Sequence, residues 1–249
     1  MAIASVDREL TGFLTTKEPQ VIALSGLWGS GKTFYWRSFL ARLPQSPIRA
    51  KNYSYVSLFG ITSLSELKDT LFANAVPLDS LVTGSPMFAE LALSPIARST
   101  NQLKALKGKL QQLTRKHSTV LESIPKLGEF GPFFRAAAFF TISDYVICID
   151  DLERRSEALA LRDVFGLLTM LRDERRCRVL VVLNTDALSL EDQAEFQTFR
   201  EKVFDHEISF NPTAIDCATI AFPSNSQLYE LAAMYSVRLG HTCPANVSR

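Results

Sequence analysis

An α/β fold built on a mainly parallel sheet is what this sequence predicts, from three observations. Short apolar runs of strand length alternate with stretches whose apolar residues recur at helical spacing. The first four of those runs are strongly apolar, as strands covered on both faces are. The chain has 249 residues, 47% of them hydrophobic, enough for one domain with a sizeable core.

Ile3, Val6, Leu10, Phe13 and Leu14 share one helical face, so the chain is expected to open with an amphipathic helix. Val21 to Leu24 reads as a buried strand leading into a glycine-rich turn. Trp36, Phe39, Leu40 and Leu43 form the stripe of a helix that stops before Pro44. Tyr53 to Phe59 reads as the second strand. A helix follows, with Ser63 and Glu66 spaced as a capping box and Leu64, Leu67, Leu71 and Phe72 facing inward. Residues 75–140 read as a mainly helical insertion, in which Leu103, Leu106, Leu110 and Leu113 lie beside Lys104, Lys107 and Lys109. Tyr145 to Ile149 is the third strand. Leu159, Val164, Phe165, Leu168 and Leu171 suit a helix, and Val179 to Leu183 is a β-branched fourth strand. Phe196, Phe199 and Val203 mark another helix before a short fifth strand, His206 to Phe210.

Charge and cysteine usage narrow the function classes. The 27 basic and 26 acidic residues nearly cancel, so the net charge of +1 offers no global attraction for nucleic acid or an anionic membrane. Cys148, Cys177, Cys217 and Cys243 have no CxxC spacing, and His117, His206 and His241 are scattered, which reads as reduced thiols without a metal cluster. Arg135 and Asp144 interrupt the segment most suggestive of a membrane helix, FFRAAAFFTISDYVICI, whereas such a helix needs about 20 apolar residues. The expectation is a soluble, cytoplasmic protein with no membrane span.

Gly26 to Thr33 read GLWGSGKT, which fits G-x-x-x-x-G-K-[ST] between a strand and a helix. Glycines let successive backbone N–H groups point at one anion, and the helix N-terminus adds a positive dipole end. Nucleotide contacts are expected from Gly26, Trp28, Gly29, Ser30, Gly31, Lys32, Thr33 and Phe34. Lys32 would reach the β- and γ-phosphates and Thr33 would ligate Mg²⁺. The expected ligands are ATP and Mg²⁺.

The third strand runs into two acids, YVICIDD. Asp150 is the candidate metal ligand with Thr33, and Asp151 the candidate general base, with Glu153 its competitor. Asn184 ends the fourth strand, where it can contact the γ-phosphate or serve as a turn cap. Arg200 and Lys202 are candidate phosphate sensors, with a solvated helix face as the alternative.

On the segments VIALSGLWGSGKT, YVSLFGITSLSELK, VICIDDLERRS, LVVLNTDAL and FREKVFDHEISFNPT, the chain resembles a bacterial member of the KAP P-loop NTPase family without a transmembrane insertion. The resemblance implies a three-layer P-loop NTPase sandwich whose five strands, counted in chain order, lie 5-1-4-3-2. It makes Asp150 the Walker B aspartate, Asp151 the adjacent acid and Asn184 the sensor residue. Some members are linked to phage defence. A helical lid is expected after the fifth strand, but Thr213 to Arg249 is short and ends in the polar stretch GHTCPANVSR, so the expectation is a short or missing lid. The reading is a single domain over residues 1–249, an ATPase slow in isolation and completed by a protein partner or a second copy. Arg154, Arg155 and Arg200 are the candidate donors in trans. A nucleotide-dependent switch with little hydrolysis is the alternative. A phosphotransferase would need an acceptor pocket and a basic lid, and neither is legible.

Overall fold

The computed structural model describes residues 3–42, 48, 50–78, 139, 141–213 and 216–217. Most of the expected insertion, including the Leu103–Leu113 helix, lies outside the described residues, as do Leu43 and nearly all of the tail. The elements are α1 (Ile3–Thr15), β1 (Val21–Ser25), α2 (Lys32–Arg42), β2 (Asn52–Ser57), α3 (Leu64–Ala73), β3 (Val76–Pro77), β4 (Tyr145–Asp150), α4 (Leu161–Asp173), β5 (Arg178–Leu183), α5 (Leu190–Val203) and β6 (His206–Ser209). Short 3₁₀ turns at Leu152–Arg154 and Thr185–Ala187 follow β4 and β5.

The sheet has six strands in the order β3-β2-β4-β5-β1-β6. All neighbours are parallel except β2 and β3. The five expected strands thus stand in the expected order, and β3 is an addition at the edge. Its two residues end in Pro77, which donates no ladder hydrogen bond and suits an edge position. The second strand is shorter than its apolar run: it stops at Ser57, and Phe59 instead makes an isolated bridge with Arg155. Leu159 is buried but precedes α4, in the turn that leads into it.

Period-two alternation sorts the strand residues onto two cores. Tyr145, Ile147 and Ile149 of β4 join Val179, Val181 and Leu183 of β5 under α3, α4 and α5. Val146 and Cys148 join Leu180, Val182, Ile22 and Leu24 under α1 and α2. Helices therefore cover both faces, giving three layers. Asp150 continues the Val146–Cys148 row, so the last residue of β4 emerges on the face that carries the start of α2. Ser63 caps α3 by accepting from the Glu66 N–H, and the Glu66 carboxylate accepts from the Thr62 N–H and hydroxyl. The second half of the expected box therefore falls one residue earlier. Among the described residues, no helix is long and apolar enough to cross a membrane.

Candidate functional site

The loop between β1 and α2 is shaped by glycines at two levels. Gly29 and Gly31 take φ of 74° and 87°, the left-handed region where a side chain is strained. Gly26 answers to space: a Cβ there would lie 2.4 Å from the Phe210 carbonyl oxygen just beyond β6. The Phe210 N–H donates to the Ser25 carbonyl at 2.7 Å, so the end of β6 is fastened to the root of the loop. The Ser30 hydroxyl donates to the Leu27 carbonyl at 2.8 Å, closing the loop on itself.

Lys32 opens α2 and is buried. Its ammonium donates to the Gly26 carbonyl at 2.7 Å and the Leu27 carbonyl at 2.9 Å. Two of three donors hold it against the loop, and the third is left for an anion. Burial pushes its pKa below the usual lysine value, while the charges of Glu153, Asp150 and Asp151 pull it back up.

Three donors hold Asp150. The Thr33 hydroxyl donates to its Oδ2 at 2.7 Å and the Tyr55 hydroxyl donates to the same oxygen at 2.9 Å. The Asp151 N–H donates to Oδ1 at 2.9 Å. Burial pushes the Asp150 carboxyl above its usual range; the Thr33 and Tyr55 hydroxyls oppose this and the Asp151 charge adds to it. Thr33 and Asp150 thus present two hard oxygens side by side. That set fits Mg²⁺, which takes one or two protein oxygens and completes its shell with phosphate and water. Among the described residues, no group of three or more His, Cys, Asp or Glu side chains forms a metal cluster.

A cleft of about 610 Å³ is lined by Trp28, Gly29, Gly31, Lys32, Thr33, Phe34, Asp150, Asp151, Glu153, Arg154 and Leu183. It gathers most of the residues singled out in the sequence. Gly26, Ser30 and Asn184 are not on its wall: Gly26 abuts Phe210, and Ser30 is turned to Leu27. Asn184 does follow the strand between β1 and β4, but its side chain accepts from the Asp186 N–H at 3.2 Å, the turn-cap alternative. Trp28 and Phe34 are more than half exposed at the mouth.

Asp151 takes a left-handed backbone, φ 60° and ψ 41°, and its Oδ2 accepts from the Ser57 hydroxyl at 2.6 Å. Arg154 lies 3.8 Å from its Oδ1 and stacks over the Phe59 ring, 4.1 Å from the centroid. The Trp28 indole N–H donates to Glu153 Oε1 at 2.6 Å. Of the arginines expected to act in trans, Arg155 makes a two-pronged contact with Asp192 and also donates to the Leu159 carbonyl at 3.0 Å. Arg200 lies 3.7 Å from Glu207.

Tyr55 and Ser57 were not anticipated from the sequence. They project from β2, where Tyr55 pairs with Cys148 and Ser57 with Asp150. The signal was present in the alternation of YSYVS once the second strand is laid beside the third.

No protein-family model matches the chain, and no curated protein matches it. Among solved structures, the chain is similar to the ORC2 protein of Aeropyrum pernix in its ADPNP–ADP complexes, at 16% identity and a TM-score of 0.45, over 92% of this chain and 50% of that one. It is also similar to a Walker-type ATPase of Pyrococcus abyssi, at 11% identity and a TM-score of 0.40, over 95% of this chain and 67% of that one. The chain therefore spans half the length of the first structure and two thirds of the second. With its phosphate loop after β1, an acid ending β4 and β5 lying between them, the chain has the P-loop NTPase fold.

Proposed function

We propose that the chain binds ATP with Mg²⁺ in the cleft above β1 and β4 and hydrolyses it, coupling turnover to a change of conformation. The observation that carries this reading is the Thr33–Asp150 hydrogen bond, which joins the phosphate loop to the acidic strand end beside Lys32. The Lys32 ammonium and the loop N–H groups would hold the phosphates, while Thr33 and Asp150 would hold the metal. The metal, when bound, offsets the negative charge of the phosphates. Trp28, Phe34, Gly29 and Gly31 form the walls available to the nucleotide.

KAP membership, a cytoplasmic setting, a single domain and a partner or second copy that speeds turnover belong to the same proposal. The link to phage defence rests on the resemblance alone. The second reading, a switch that binds nucleotide with little hydrolysis, draws on Asp151, whose carboxylate is engaged by Ser57.

Calorimetry with Mg-ATP and phosphate-release assays test the reading. Wild type should bind and release phosphate, and folded Lys32→Ala should do neither. Unchanged affinity in Lys32→Ala would sink the assignment; binding without release in wild type would favour the switch.

A further inference from the structure

Two carboxylates follow Asp150 at the cleft mouth, and their surroundings differ. Asp151 is turned by its left-handed backbone toward the end of β2, where Ser57 donates to one oxygen and Arg154 lies near the other. Glu153 sits two residues on, in the 3₁₀ turn, and lines the cleft. Its Oε1 accepts from the Trp28 indole. Its Oε2 is buried with no hydrogen-bond partner among the described residues. A buried acceptor without a partner is uncommon enough to call for an explanation, and a role in chemistry is one. Lys32 is the group that addresses the β- and γ-phosphates. Trp28, which holds Glu153, and Lys32 belong to the same loop, so the Glu153 carboxylate stands at the phosphate end of the cleft.

We propose that Glu153, rather than Asp151, is the catalytic carboxylate, which accepts a proton from the attacking water while Trp28 holds it through Oε1. The proposal rests on the hydrolytic reading above. The water oxygen forms the new bond to the terminal phosphorus. The bond from that phosphorus to the bridging oxygen breaks, and its electron pair leaves with the nucleoside diphosphate. The water proton passes to Glu153 and returns to solvent once the products part. Trp28 is a positioning residue. Its neutral N–H orients the carboxylate without cancelling the charge a base needs, and because Trp28 belongs to the phosphate loop, the base is set by the same loop that grips the substrate. Asp151 holds the end of β2 against the end of β4 through Ser57.

The test pairs Mg-ATP calorimetry with single-turnover phosphate release on the full chain. Glu153→Gln keeps an oxygen for the Trp28 N–H but is a far weaker base. It should bind ATP within a few-fold of wild type and slow release by about 10²–10⁴-fold. Glu153→Asp keeps the carboxylate on a shorter stem and should recover part of that loss. Trp28→Phe should slow release less than Glu153→Gln. Asp151→Asn should cost less than about tenfold, below the range of a lost general base. Release by Glu153→Gln within a few-fold of wild type would overturn the assignment and leave the ATPase reading standing, as would Asp151→Asn losing as much as Glu153→Gln. A wild type that fails to bind ATP would overturn the nucleotide reading and this assignment with it; one that binds without releasing phosphate would overturn hydrolysis and the base together.

Discussion

Gly26 meets the end of β6 so closely that a methyl group would collide with the Phe210 carbonyl oxygen. Gly26→Ala should therefore destabilise the fold by about 1–3 kcal/mol, as overpacking does, and weaken ATP binding because the loop must shift. Denaturant midpoints and calorimetry would check this; an unchanged midpoint would mean the contact gives way at no cost. Thr33→Ala has a narrower expected effect, since its hydroxyl meets Asp150 where Mg²⁺ is proposed. It should weaken Mg-ATP binding more than metal-free ATP binding, and equal losses with and without EDTA would remove Thr33 from the metal site. Residues such as Lys32 and Thr33 were legible because phosphate-loop chemistry is local in sequence. Tyr55 and Ser57 were not, because their value depends on a strand register set about a hundred residues away. Asn184 was placed correctly at its strand end, but its own backbone two residues on competes for the side chain.

Between elements, the contact of Arg155 with Asp192 ties the turn after β4 to the N-terminus of α5. Both side chains are mostly buried, at 9% and 18% exposure, so the pair is better shielded than a surface ion pair. Hydrogen bonding from Arg155 holds the Asp192 carboxyl below its usual value. A depressed carboxyl pKa stabilises the fold fully above the unfolded value, near 3.8, and loses that contribution as pH falls through the lower folded value. Asp192→Asn should therefore cost about 1.5–3 kcal/mol at neutral pH, with the gap to wild type closing in strong acid. Denaturant titrations at two pH values would show it; a gap that persists undiminished in acid would assign the loss to something other than the charge. At this scale most elements were legible, because long amphipathic stripes and β-branched runs carry their own periodicity. β3 was not, since two residues ending in proline carry no period, and its place follows from pairing with β2. Nor was the end of β2 legible, because an apolar run continues through Leu58 and Phe59 after the ladder has stopped.

For the molecule as a whole, a ligand that binds only the folded chain stabilises it by mass action. ATP at a hundred times its dissociation constant should add about 2.7 kcal/mol. That should appear as a rise of several degrees in a thermal scan of wild type and be absent in Lys32→Ala. A rise of equal size in that variant would place the nucleotide elsewhere.

The phosphate loop begins at residue 26, yet its strand is walled by β5 and β6, and the Val21 N–H is satisfied by Asp205 across 184 residues. Such distant pairings form late, because loop closure must precede them. At synthesis rates of about 5–20 residues per second, the loop would leave the ribosome roughly 10–40 seconds before its far wall exists. Until β6 is made, the most recognisable stretch of the sequence lacks the strand that walls it. Capture of ATP by a nascent chain would report that β6 has arrived.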